Sequence, residues 1–144
     1  MNIHSEGEAR ETHVSIAYTH SRHRNQNEIA EDYVELISDL INKKGEARAV
    51  DLAHALGVSQ ATVSKTIGRL KQASLVYSQP YRSIFLTSKG RRLASLSRER
   101  HRIVMEFIVA LGVPKRTAAM DAEGIEHHAS KTTIRAMKRY LEKQ

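Results

Sequence analysis

The fold is decided by the stretch Asp51-Leu52-Ala53-His54-Ala55-Leu56-Gly57-Val58-Ser59-Gln60-Ala61-Thr62-Val63. Ala53, Gly57 and Val63 have the spacing of a helix-turn-helix, in which a small residue lets the helices approach and glycine takes the tight turn. We expect the first helix to run from about Asp51 to Leu56, without a polar cap before it. Ser59 predicts the start of the second helix, because its hydroxyl can accept a hydrogen bond from a free backbone N–H.

The second helix has an apolar and a polar face. Val63, Ile67 and Leu70 form the inward stripe. The start of the outward face can contact base edges in a DNA major groove, and its later cations can hold phosphates. We therefore expect a DNA-binding face that consists of Ser59, Gln60, Ala61, Thr62, Lys65 and Arg69.

Two short β-prone runs, residues 75–77 and 84–87, follow this helix. A hairpin in this place is typical of the wing of a winged helix, and Tyr81 and Arg82 at its tip would contact the DNA backbone or minor groove. Thr87 predicts the cap of a long helix that ends near Gly112. We expect the apolar far end of this helix to form a dimer interface, because it is too apolar for a monomer of this size.

The distribution of charge also favours a polyanionic partner. The chain has a net charge of +7, and no acidic residue lies between Asp51 and Glu99. A solvated basic surface is the alternative, but such segregation concentrates positive potential on one part of a fold. The basic residues of the interval are Lys65, Arg69, Lys71, Arg82, Lys89, Arg91, Arg92 and Arg98.

The composition excludes several classes of site. The chain has no cysteine, which rules out disulfides, zinc-thiolate sites and a cysteine nucleophile. Only 5% of its residues are aromatic, which favours packed aliphatic helices over an aromatic ligand pocket. No segment approaches the roughly 20 apolar residues of a membrane span, and the start lacks the apolar region of a secretion signal. We expect a cytoplasmic protein.

A second stretch, Asp121-Ala122-Glu123-Gly124-Ile125-Glu126-His127-His128, carries candidate metal ligands. In a helix that starts at Pro114, Glu123, Glu126 and His127 share one face at i, i+3 and i+4. Two carboxylates and an imidazole on one face can bind a divalent cation. A solvated acidic helix face would show the same pattern.

Another pair of carboxylates lies in a helix that the apolar period predicts from Asn27, as its cap, to Lys44. Asp32 and Glu35 stand at i and i+3 along the edge of its apolar stripe. Ordinary surface acids would look the same.

Four motifs together resemble the diphtheria-toxin-repressor family of metal-dependent transcriptional regulators, most closely its short manganese-responsive branch. The likeness covers roughly residues 28–141. The motifs are Glu31-Asp32-Tyr33-Val34-Glu35, Leu86-Thr87-Ser88-Lys89-Gly90, Arg100-His101 and the stretch from Glu123 to His128.

This resemblance implies a set of metal ligands and a cofactor. It implies two manganese ions per subunit. Asp32 stands where the iron-sensing branch has a methionine, and Glu123 where it has a cysteine. The resulting oxygen-rich site suits manganese. The implied ligands are Asp32, Glu35, His101, Glu123, Glu126 and His127.

The resemblance and the patterns together predict a mainly α fold, in which a long helix joins an N-terminal winged helix-turn-helix to a helical dimerisation and metal-binding domain. We expect a polar, disordered tail at residues 1–26, the DNA-binding domain at 27–95 and the second domain at 96–144. The predicted function is a manganese-responsive repressor of manganese-uptake genes, without enzyme activity. Its expected partners are a second copy of the chain and palindromic operator DNA, with no membrane and no small organic substrate.

Other functions are compatible with parts of the pattern. A winged-helix regulator could respond to iron, to zinc or to a small organic ligand. A metal-dependent hydrolase could use two cations to activate water, although nothing in the sequence indicates a substrate cleft. Nonspecific DNA packaging would explain the basic interval and leave the candidate ligands without a role.

Overall fold

The computed structural model of the chain describes residues 26–79 and 82–144. The tail predicted for residues 1–26, except Gln26, and the predicted wing residue Tyr81 lie outside this described part. The first helix, α1, covers residues 26–44 and is already helical at its first described residue. Asn27 therefore lies inside the helix, and the prediction that it caps α1 is wrong.

The helix-turn-helix predicted from the sequence is present as α2 (Ala49–Leu56) and α3 (Gln60–Gln72). Gly57 takes the left-handed conformation at the turn, with φ 67°. The hydroxyl of Ser59 accepts a hydrogen bond from the backbone N–H of Thr62 at 3.1 Å, so Ser59 caps α3 as predicted.

The start of α2 was predicted two residues too late. The helix begins at Ala49, because the Asp51 carboxylate accepts a hydrogen bond from the backbone N–H of Arg48 at 3.2 Å. The stabilising group thus lies inside the first turn and not before it.

The predicted wing is an antiparallel hairpin of β1 (Val76–Tyr77) and β2 (Phe85–Leu86). Val76 lies opposite Leu86, and the rings of Tyr77 and Phe85 stack with centroids 5.5 Å apart. The strands are shorter than the predicted runs. One reason is that the Ile84 backbone N–H donates to the carbonyl of Ala47 at 2.7 Å, which attaches the wing to the α1–α2 loop instead of extending the hairpin.

Three helices complete the described chain: α4 (Ser88–Ala110), α5 (Lys115–His128) and α6 (Lys131–Glu142). Thr87 caps α4 and Ser130 caps α6 through their hydroxyls. Within residues 26–79 and 82–144, none of the helices combines the length and apolar character that a membrane crossing needs.

Two hydrophobic cores lie at opposite ends of α4. The first packs α1, α2, α3 and the hairpin against the start of α4. In the second, Ile103, Val104 and Ile108 of α4 pack against α5 and α6. Much of the apolar far end of α4, from which we predicted a dimer interface, is therefore covered within the chain. Val109 and Leu111 remain 40% and 62% exposed.

At Gly90, α4 packs closely against the backbone that leads into the hairpin. The Gly90 N–H donates to the Thr87 hydroxyl at 3.0 Å, and a Cβ at this position would collide with the backbone carbonyl oxygen of Leu75. We expect Gly90→Ala to lower the free energy of unfolding by about 1–3 kcal/mol, as overpacking typically does. Gly68→Ala is the matched control, because a Cβ on this α3 glycine meets no atom within 4 Å.

The measurement is denaturant unfolding of both variants in parallel with the parent protein. Gly68→Ala should be neutral or stabilising by up to about 1 kcal/mol, since alanine is the better helix former. Equal effects of the two substitutions would contradict the close contact at Gly90.

Candidate metal centre

The buried face of α5 brings the candidate ligands to α4. Ala118 and Ala122 are fully buried, and Glu126 continues the same row with only 1% of its surface exposed. Small residues along this row let α5 lie close to α4. The next position along the row therefore places a carboxylate, Glu126, in the interior of the chain.

One group of candidate ligands joins α4 to α5, and we call it the α4 cluster: His101, Glu123 and Glu126. One donor atom from each lies within 4.8 Å of the others. His101 Nδ1 is 3.1 Å from Glu126 Oε2 and 3.4 Å from Glu123 Oε1. This nitrogen and two carboxylates are a donor set that a divalent cation can use.

A second group joins α1 to α5, and we call it the α1 cluster: Glu28, Asp32 and His127. Its donor atoms also lie within 4.8 Å of one another, and His127 Nε2 is 3.3 Å from Asp32 Oδ1. Glu126 connects the two clusters, because its other oxygen, Oε1, is 3.4 Å from His127 Nε2. The two candidate sites are therefore neighbours, and Glu126 of the α4 cluster lies against His127 of the α1 cluster.

Glu35 lies beside the clusters and belongs to neither group of three. Partial burial raises the pKa of Glu35, and the negative charges of Glu123 and Asp32 raise it further, while the Ser97 side chain opposes the rise. The Glu35 carboxylate is therefore within electrostatic range of Glu123 and Asp32. Of the six predicted ligands, the structure thus brings five into the two clusters and the sixth next to them.

A buried carboxylate, Glu31, orients His127. Glu31 Oε2 is 2.7 Å from His127 Nδ1, and Arg100 of α4 forms an ion pair with the other Glu31 oxygen. A carboxylate that accepts from one ring nitrogen fixes the orientation of the imidazole. The Nε2 atom of His127 consequently faces Asp32 and Glu126.

The sequence interpretation missed both Glu28 and Glu31 as site residues. Glu31 belongs to the motif Glu31-Asp32-Tyr33-Val34-Glu35, but nothing in the sequence indicates its partners, which are 96 and 69 residues away. One feature of the sequence could have identified Glu28 as a site residue. It precedes Asp32 by four residues and so lies on the same face of α1.

The electrostatics of Glu126 favour a cation. Burial raises the pKa of Glu126 to about 8, and the charges of Glu123 and Glu35 add to the rise while His127 opposes it. Within the described residues, both Glu126 oxygens and His101 Nδ1 are buried without a hydrogen bond of good geometry. Buried polar atoms of this kind are normally paired or coordinate metal, so the donor set fits a divalent cation.

The pKa of His127 is also shifted. Its hydrogen bonds to Asp32 and Glu31 raise its pKa to about 10. A proton on Nε2 would have to leave before this nitrogen could bind a metal. Protons and a cation therefore compete for the two residues, Glu126 and His127, that link the clusters.

The predicted DNA-binding side chains lie on the exposed side of α3. Ser59 is committed to the helix cap, since its hydroxyl also donates to Thr62 Oγ1 at 3.0 Å. Arg82 of the wing is exposed, and Tyr81 lies outside the described residues. The other predicted DNA-binding residues of α3 are all exposed: Gln60, Ala61, Thr62, Lys65 and Arg69.

Comparison with known proteins identifies both halves of the chain. Residues 27–84 match the N-terminal DNA binding domain of iron dependent repressors, and residues 87–144 match the metal binding and dimerisation domain of the same proteins. The transcriptional regulator MntR of Escherichia coli O6:H1 is 48% identical over 133 residues, which cover 92% of this chain and 85% of that protein.

Solved structures agree with these matches. The manganese regulator SloR has a TM-score of 0.67 at 26% identity, covering 78% of this chain and 53% of the other. A manganese-dependent transcriptional repressor in complex with manganese has a TM-score of 0.68 at 29% identity, covering 78% and 52%. The chain spans about half the length of these two solved proteins.

These matches confirm the family and the fold class that were predicted from the sequence. The chain belongs to the iron-dependent repressor family, with a DNA-binding domain followed by a metal-binding and dimerisation domain.

Proposed function

We propose that this chain is a manganese-responsive repressor of manganese-uptake genes, which binds palindromic operator DNA as a homodimer. The observation that carries this proposal is the position of the α1 cluster, which joins α1 of the DNA-binding domain to α5 of the metal-binding domain. The similarity to MntR and to two solved manganese-dependent regulators supports manganese as the signal. The role is regulatory and not catalytic.

We further propose that each subunit holds two manganese ions, one at each cluster. Asp32 and His127 would hold the first, His101 and Glu123 the second, and Glu126 would lie between them. Glu35 would complete the set from its position beside Glu123 and Asp32. A bound divalent cation supplies the positive charge that these crowded carboxylates lack.

The choice of manganese follows from the donor atoms. Carboxylate oxygens outnumber imidazole nitrogens at the centre, and the chain has no cysteine sulfur. Such a set suits manganese, although intrinsic affinity among divalent metals rises toward zinc and copper. Selectivity would therefore depend on coordination geometry and on metal supply in the cell.

The residues of the centre would control DNA binding through the angle between the two domains. Without a cation, the crowded carboxyl groups of Glu126, Glu123 and Glu35 either bind protons or repel one another, and this repulsion favours arrangements in which α1 moves away from α5. With a cation bound at each cluster, the two α3 helices of a dimer would be held about 34–36 Å apart, which is the spacing of successive major grooves. If the free energy of cation binding differed by about 1–3 kcal/mol between these arrangements, operator affinity would change roughly 5- to 150-fold.

The most direct test of this function uses the ligand residues of α5. We expect Glu123→Ala and His127→Ala to abolish the manganese-stimulated gain in DNA affinity, because each removes a donor from one cluster. The probe is a palindromic DNA selected from a random pool by the manganese-loaded parent protein, and affinity is measured by fluorescence anisotropy in manganese and in chelator.

Glu106→Ala is the matched control, since Glu106 pairs with Arg102 on α4 and belongs to neither cluster. It should retain the full response. If the parent protein bound the selected DNA equally well in manganese and in chelator, the proposed function would be wrong.

The raised pKa of Glu126 predicts how metal-free stability depends on pH. A carboxyl whose folded-state pKa is raised stabilises the fold fully below its unfolded value of about 4.5 and loses this contribution as pH rises to about 8. In chelator, Glu126→Gln should therefore unfold at the same temperature as the parent protein at pH 4.5. At pH 8 its unfolding temperature should be several degrees higher.

Thermal unfolding at both pH values, at one protein concentration, measures this difference. Added manganese should raise the unfolding temperature of the parent protein at pH 8 more than that of the variant, because the variant lacks the Glu126 carboxylate. A difference between the two proteins that did not change with pH would contradict the electrostatic role of Glu126.

A further inference from the structure

Glu28 is an additional carboxylate at the α1 cluster. It lies one helical turn before Asp32 on α1, so the two side chains project from the same face of the helix. It is not among the six ligands that the family resemblance implies. Its side chain is 31% exposed, which leaves it at the rim of the centre and not in bulk solvent.

The position of Glu28 is defined from two sides. One of its donor atoms lies within 4.8 Å of donor atoms of Asp32 and His127. Its Oε2 is also 3.4 Å from Nε2 of His128, the last residue of α5. Two neighbouring residues of α5, His127 and His128, thus face two residues of α1 that are one turn apart.

The buried carboxylate of Glu126, which has no hydrogen-bond partner among the described residues, lies beside the α1 cluster. Glu126 is 1% exposed, and its Oε1 forms no hydrogen bond with the described residues. This oxygen is 3.4 Å from His127 Nε2, the nitrogen that faces Asp32. The α1 cluster therefore extends from the partly exposed Glu28 toward the buried Glu126, whereas a group of solvated surface acids would have no buried member.

We infer that Glu28 is a metal-binding residue of the α1 cluster and that His128 positions its carboxylate. This inference rests on the proposed function, because it assumes that the cluster binds manganese. Glu28 would add one more oxygen donor and so make the set more suitable for manganese than for softer metals. It would also strengthen the link between α1 and α5, since its contacts with His127 and His128 cross from one helix to the other.

The test is manganese binding by the full chain, followed through the electron paramagnetic resonance signal of free Mn²⁺ and by calorimetry. We expect the parent protein to bind two ions per subunit. In Glu28→Gln, one ion should bind as in the parent protein, and the affinity for the other should fall about tenfold or more.

Asp39→Asn is the matched control, because Asp39 is an exposed carboxylate of the same helix that pairs with Arg98 and belongs to neither cluster. It should bind both ions as the parent protein does. A Glu28→Gln titration that superimposed on those of Asp39→Asn and the parent protein would overturn the inference and leave Glu28 and His128 as a surface ion pair.

The role of His128 is tested with three further variants. His128→Ala should weaken the same ion less than Glu28→Gln does, and His128→Gln should restore much of the affinity, because its amide can still donate to Glu28. The double variant Glu28→Gln/His128→Ala should bind like Glu28→Gln alone, since His128 acts only through Glu28. Additive losses in the double variant would overturn the positioning role.

Failure of this inference is distinguishable from failure of the proposed function. If the parent protein bound no manganese, the proposed function itself would be wrong. If Glu123→Ala lost an ion while Glu28→Gln bound two normally, the proposed function would stand and only the role of Glu28 would be wrong.

Discussion

The contact between His127 and Glu31 is the interaction on which the arrangement of this chain depends. It joins α5 to α1 across 96 residues, at 2.7 Å and between two buried side chains. Arg100 holds Glu31 from α4, so three helices from both domains meet at one hydrogen-bonded chain. Because the imidazole is held on one nitrogen, its other nitrogen is presented to Asp32 and Glu126. The domain junction and the candidate metal centre thus consist of the same residues.

The same junction also contains a destabilising feature, the burial of a carboxylate. Glu126 is buried without a hydrogen-bond donor among the described residues, and Glu123 and Glu35 lie close enough to raise its pKa. Burying a carboxylate in this way is costly unless a proton or a cation neutralises it. A fold that places such a group between two domains makes their relative position sensitive to whatever supplies positive charge there. This sensitivity is the physical basis of the proposed switch.

Local signals predicted most of the fold. The small residue at 53, the glycine at 57 and the hydroxyl caps at 59, 87 and 130 act within a few residues of themselves, so the sequence alone was sufficient to interpret them. The start of α2 was wrong because its stabilising carboxylate, Asp51, lies inside the helix. The contacts of Glu28 and Glu31 could not be derived from the sequence, since they depend on where α5 lies against α1. Burial of the far end of α4 likewise depends on α6, whose docking no local pattern indicates.

We propose that metal binding between α1 and α5 fixes the separation of the two α3 helices in a dimer. The chain has no cysteine, so Ser64→Cys on the exposed side of α3 allows each subunit of a dimer to carry one fluorophore. Energy transfer between the two labels, measured on single molecules, reports this separation. We expect a broad distribution in chelator that narrows to a single value when manganese is added. The same distribution in both conditions, in a sample shown by titration to bind manganese, would contradict the account.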